Sequence, residues 1–107
     1  MHIRVHCRSV EMTPSIRAWA ERRVLFALGQ FGERVRSVLV RLTDLNGTKG
    51  GTDQRCSMEA RVAHAGSIVA EVEDPDLYSA ISRTADRLGR RVRTELDREK
   101  TGRRHNR

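Results

Sequence analysis

The chain has 107 residues, with 21 Lys plus Arg against 14 Asp plus Glu, a net charge of +7 and a pI of about 10.9. That length accommodates one domain of about 100 to 150 residues and excludes a two-domain enzyme, while the basic excess points to a polyanionic partner. Hydrophobic residues make up 37% and aromatics 4%, which is above a disordered composition but restricts the core to aliphatic side chains, with Trp19, Phe26, Phe31 and Tyr78 as the rare large pieces.

The first twelve residues lack the apolar centre of a signal peptide, and no apolar run approaches the roughly 18 to 20 residues that span a bilayer. A soluble, cytoplasmic protein with no membrane partner is expected. Cys7 and Cys56 form neither a disulfide framework nor a zinc pattern. Both read as small core residues in a reducing compartment.

From His2 to Arg8, Ile3, Val5 and Cys7 alternate with polar residues, the period of a half-buried strand. Thr13-Pro14 then supplies an N-cap and a first-turn proline, and Ile16, Ala20, Val24, Ala27, Leu28 and Phe31 recur at helical spacing, predicting a helix from Pro14 to Gln30. Alternation resumes at Val38, Val40 and Leu42, and this second strand runs into a glycine-rich loop, Asn46 to Gly51, that carries Lys49. A third strand, Arg55 to Ala63, places Cys56, Met58, Ala60 and Val62 on one face; a tight turn at His64 to Ser67 leads to a fourth, Ile68 to Glu73. The run Asp74-Pro75-Asp76 stops that strand and caps a long second helix, whose stripe is Leu77, Ile81, Ala85, Leu88, Val92 and Leu96. Residues 1–100 form a single domain in this reading, and 101–107 a short disordered basic tail.

The order β-α-β-β-β-α, with one apolar face per strand, predicts an α+β two-layer sandwich: a four-stranded sheet with both helices on one face and the other face wet. The first two strands flank a helix and should pair in parallel; the short loops downstream favour antiparallel pairing.

On the second helix, at 100° per residue, Arg83, Arg87, Arg90, Arg91 and Arg98 fall within about 100° of one another, away from the apolar stripe. A solvated face is the simpler reading of such a sector, because Asp76, Asp86 and Asp97 stand within reach for intrahelical pairs. Arginine far outnumbers lysine, however, and guanidinium grips phosphate with two parallel hydrogen bonds where an ammonium cannot, which favours nucleic acid. Arg17, Arg22 and Arg23 on the first helix extend this surface if they lie beside the second; Arg23, close to the apolar stripe, can instead lay its stem over the core. Lys49 and the tail add positive charge suited to capturing phosphate rather than reading bases.

No catalytic or metal constellation emerges. His2 and His6 are four strand residues, about 13 Å, apart, too far to share a metal. His6 and Cys7 point to opposite faces of a strand. Glu71, Glu73, Asp74 and Asp76 are accounted for by a strand end and a helix cap. Gly89 interrupts the second helix at a cost of up to about 1 kcal/mol, which suggests a close packing contact.

Two runs carry a resemblance. DPDLYSAISRTADRLGRRVR (Asp74 to Arg93) resembles the second-helix signature of the bacterial hibernation-promoting factor and ribosome-associated inhibitor family, also known as sigma-54 modulation proteins. VEMTPSIRAWAERRVLFALGQFGERV (Val10 to Val35) is similar to that family's first helix and the approach to its second strand. The resemblance covers about residues 2 to 98 and implies a short-form member with a fold similar to double-stranded-RNA-binding domains. It also implies a partner, the small ribosomal subunit, bound near the decoding region through rRNA so that tRNA and mRNA sites are blocked under stress, with no chemistry, no cofactor and no small-molecule substrate. Carried over residue by residue, Arg87, Arg90, Arg98, Arg22 and Arg23 match basic positions of the family, whereas Arg83 and Arg91 exceed its usual pattern. The glycine-rich loop around Lys49 is longer than in the commonest short members. A monomer is expected in the free state. The competing readings are a general binder of structured RNA and a protein-interaction regulator of transcription; an enzyme is disfavoured, because no nucleophile, base and oxyanion donor can be brought together.

Overall fold

A computed structural model describes residues 1–45 and 53–105. The elements follow as β1 (His2–Arg8), α1 (Pro14–Leu28), a 3-10 segment (Gly29–Arg34), β2 (Val35–Asp44), β3 (Gln54–Val62), β4 (Gly66–Asp74) and α2 (Leu77–His105). The sheet order is β1-β2-β3-β4, parallel between β1 and β2 and antiparallel elsewhere, as the loop lengths predict.

Strand alternation fixes which face each side chain takes. Val38, Val40 and Leu42 of β2 stand beside Ala60, Met58 and Cys56 of β3, and all six are buried. The helices seal this face, α2 over β3 and β4, and α1 against α2, β1 and β2. Val24 and Leu28 of α1 and Ile81, Leu88 and Val92 of α2 close the core. Outward positions on all four strands are exposed or half-buried, so one face of the sheet is wet.

The helix caps are those the residues encode. The Thr13 hydroxyl accepts from the Ile16 backbone N–H at 3.1 Å, with Pro14 in the first turn. At α2, the Asp76 carboxylate accepts from the Ser79 N–H at 3.1 Å and its hydroxyl at 2.8 Å.

Several boundaries differ from the sequence reading. Helix α1 ends at Leu28 rather than Gln30, and Gly29–Arg34 tightens into 3-10 geometry broken at Gly32, whose φ of 58° suits a residue without a Cβ. β3 runs one residue earlier than predicted, and β4 extends from Gly66 to Asp74, with the turn shortened to Ala63–Ala65. Helix α2 continues to His105, past the Lys100 at which apolar periodicity ceases. Once a helix is nucleated each added residue costs little, so it can outlast its buried stripe. This corrects the assignment of disorder to residues 101–105. The greatest dimension of the molecule, 58 Å, exceeds the other two, 22 and 17 Å, more than twofold. Among the described residues no helix is long and apolar enough to cross a membrane.

Candidate nucleic-acid interface

Helix α2 is the frame of the site. Ala80, Ile81, Thr84, Ala85, Leu88 and Val92 are buried on one side of it. The Thr84 hydroxyl is satisfied locally, 2.6 Å from the Ala80 carbonyl and 3.2 Å from that of Cys56. With that side pinned to β3 and β4, Arg83, Arg90, Arg91 and Arg98 are exposed and Arg87 is half-buried.

Between α2 and the free edge of β4 runs a groove of about 720 Å³, lined by Arg87, Arg90, Arg91 and Arg98 on the helix side and by Ser67, Ile68 and Val69 on the strand side. β4 is an edge strand, so alternate backbone groups face away from β3. Arg87 Nη1 donates to the Glu71 carbonyl at 2.9 Å, and Arg91 Nη1 donates to that of Val69. These contacts cap the strand edge and hold two guanidinium groups in place. Each guanidinium has five N–H donors, so donors remain for an incoming phosphate. The strand thereby removes part of the side-chain ordering cost that binding would otherwise meet.

The other arginines divide. The Arg90 side chain makes no ion pair or hydrogen bond among the described residues, and it also faces a second groove between the helices, with Phe26, Gly89 and Arg93. Arg98 pairs with Glu95 at 3.2 Å, but its side chain is 73% exposed, so the pair is weak and readily exchanged. Arg83 donates to Asp74 at 2.9 Å. The Asp74 carboxyl is held below its usual range, first by the Asp76 backbone N–H and then by Arg83.

Helix α1 behaves differently. Arg23 pairs with Asp86 of α2 at 3.3 Å, and its guanidinium lies 5.1 Å from the Phe26 ring centre and 5.9 Å from that of Trp19. Its Nε is buried without a hydrogen-bond partner. Trp19 is fixed by a 3.1 Å bond from Nε1 to the Tyr78 carbonyl and by edge contact with the Tyr78 ring. Arg23 is therefore a strut between the helices. Arg22 is exposed, and burial pushes the Cys7 thiol of β1 up against a smaller lowering by Arg17, which sits on the β1 side of α1, so the three α1 arginines do not form one continuation of the α2 row. Lys49 lies outside the described residues.

Two contributors escaped the sequence reading. Arg93 stacks 5.6 Å from the Phe31 ring centre and donates to Gln30. Phe26, counted from composition among the large pieces of the core, is instead 76% exposed because it lies off the buried stripe of α1, and its ring is covered on one side by Arg23. Basic and aromatic residues alternating near a helix seam are the available signal for both.

The seam also explains Gly89. A Cβ there would stand 3.0 Å from the Ala27 carbonyl oxygen, so the missing side chain permits α1 and α2 to touch. Cys56 is chemically quiet: burial pushes its thiol up to about 12, against a smaller lowering by Thr84.

Comparison with known proteins agrees with this geometry. A crystal structure of the N-terminal domain of Protein Y from Thermus thermophilus superposes with a TM-score of 0.72 at 28% identity, covering 86% of this chain and 96% of that one. The structure of a ribosomal subunit interface protein from Coxiella burnetii shares the fold, with a TM-score of 0.73 at 16% identity over 94% of this chain and 99% of its own. No curated protein sequence matches. The family model described as sigma 54 modulation protein / S30EA ribosomal protein matches residues 3–100, nearly the whole α+β sandwich with its arginine-lined helix, and the chain belongs to that family.

Proposed function

We propose that this protein binds the small ribosomal subunit near its decoding region, laying the exposed side of α2 against rRNA and blocking the tRNA and mRNA sites in stressed or idle cells. Family membership and the likeness to a ribosomal subunit interface protein support a ribosomal partner. The observation that carries the reading is the row of Arg87, Arg90, Arg91 and Arg98 along the groove between α2 and β4. Four guanidinium groups on one rigid wall match a phosphate backbone.

Action in this reading is steric and electrostatic, without covalent chemistry, by a cytoplasmic monomer formed as a single domain. Arg83 and Arg22, both exposed, add phosphate contacts in this reading, whereas Arg23 contributes by holding α1 against α2. The contacts are to backbone rather than base edges, so affinity falls steeply with salt. With four to six phosphates engaged, the slope of log affinity against log salt is about −3 to −5.

The test is cosedimentation of wild type and the Arg87→Ala/Arg90→Ala/Arg91→Ala variant with purified small subunits. Charge-assisted contacts contribute about 1.5 to 3 kcal/mol each, so the variant should bind at least ~100-fold more weakly at moderate salt while still melting cooperatively. Undiminished binding by a folded variant refutes the helical site. A general duplex binder would instead bind free RNA duplexes of about 16 base pairs as tightly as subunits.

A further inference from the structure

The wet face of the sheet, on the side away from the helices, carries a second concentration of positive charge. β1 presents Arg4, His6 and Arg8 outward, all exposed. In the parallel register His6 stands beside Arg41 of β2, while Arg4 and Arg8 stand beside Leu39 and Thr43. Successive outward residues on a strand are about 6.6 Å apart and neighbouring strands about 4.8 Å, so Arg4, Arg41 and Arg8 form a shallow triangle with a base of roughly 13 Å.

No carboxylate stands outward on β1 or β2; those of this face lie on β3 and β4. Glu71 and Glu73 hold Arg55 at 2.8 and 2.9 Å. Glu59 registers with Leu39, one strand removed from Arg4. Among the described residues Arg4, Arg8 and Arg41 enter no ion pair. Like charges at neighbouring sheet positions repel and destabilise. Charge on an edge strand deters unwanted strand pairing, which accounts for Arg4 and Arg8 but not for Arg41, which stands on an interior strand.

We infer that the outer face of β1 and β2 holds a second RNA backbone segment through Arg4, Arg8 and Arg41, so that the protein is gripped by RNA on both faces of its sandwich. This rests on the ribosomal reading above. Guanidinium forks match phosphate.

The experiment measures binding to purified small subunits over a salt series, together with chemical footprinting of their RNA. It compares wild type, Arg4→Ala/Arg8→Ala/Arg41→Ala, the same three positions changed to Lys, and the α2 triple variant. Loss of three phosphate contacts at 0.7 to 0.9 each should make the salt slope shallower by about 2 to 3. The alanine set should also lose one group of protected nucleotides while keeping the rest, and the lysine set should retain the wild-type slope. Wild-type affinity and slope in the alanine set, beside an α2 variant that no longer binds, overturns this inference and leaves the helical site standing. Weakened binding with every protection intact places a ribosomal protein on this face and also overturns it. If the α2 variant binds normally and the sheet variant does not, the helical reading falls alone; if wild type does not bind, both fall.

Discussion

The two helices use arginine for opposite purposes. On α2, apolar residues keep to one stripe, so its arginines are driven to the solvent side and the nearest acceptors for Arg87 and Arg91 are the edge carbonyls of β4. On α1, Leu25 and Phe26 are exposed as well as Ile16, Val24 and Leu28 being buried, so apolar surface is spread around the helix. There Arg23 is drawn onto aromatic rings and the Asp86 carboxylate. An identical side chain becomes a groove-lining group or a packing strut according to how cleanly its helix separates apolar from polar residues.

The largest test of this contrast is the α2 triple variant described above, which should lose binding and keep its fold. Gly89→Val tests the seam that sets the two helices against each other. The new side chain meets the Ala27 carbonyl, and overpacking of this kind costs about 1 to 3 kcal/mol; a substantially lower melting temperature is expected, measured by circular dichroism. An unchanged midpoint would mean that the helices separate freely.

Arg23→Ala should do the reverse of the α2 substitutions. Loss of a partly buried ion pair and two ring contacts should lower stability by about 1 kcal/mol, with subunit affinity within about twofold of wild type when measured well below the melting point. Strong loss of binding at unchanged stability would erase the distinction between the helices.

The smallest effect concerns Asp74, which ties Arg83 to the start of α2. Its folded carboxyl titrates below the unfolded one, so its contribution to stability is present above the unfolded value near pH 4 and is lost as pH falls through the folded value. Denaturant titrations of wild type should show this decline in acid, and Asp74→Asn should flatten it. A wild-type profile in the variant would assign the acid sensitivity elsewhere.

Most of the architecture is legible along the chain. Period-two alternation marks β1 and β3, Thr13-Pro14 and Asp76 mark the helix starts, and the stripe from Leu77 to Leu96 marks α2, because each depends on residues a few positions apart. The ends are less legible. The 3-10 stretch after Leu28 and the extension of α2 to His105 involve no apolar signal.

Residue order along the chain is enough to set the element order, the face that each strand buries and the common sector of Arg83, Arg87, Arg90, Arg91 and Arg98, since helical and strand periods are local geometry. Which arginines are tied and which are available depends instead on packing between distant elements. Arg23 meets Asp86 across 63 positions, Arg91 meets β4 across 22, and Arg41 joins β1 only through strand register. Such partners are set by how elements pack, and no local spacing encodes them.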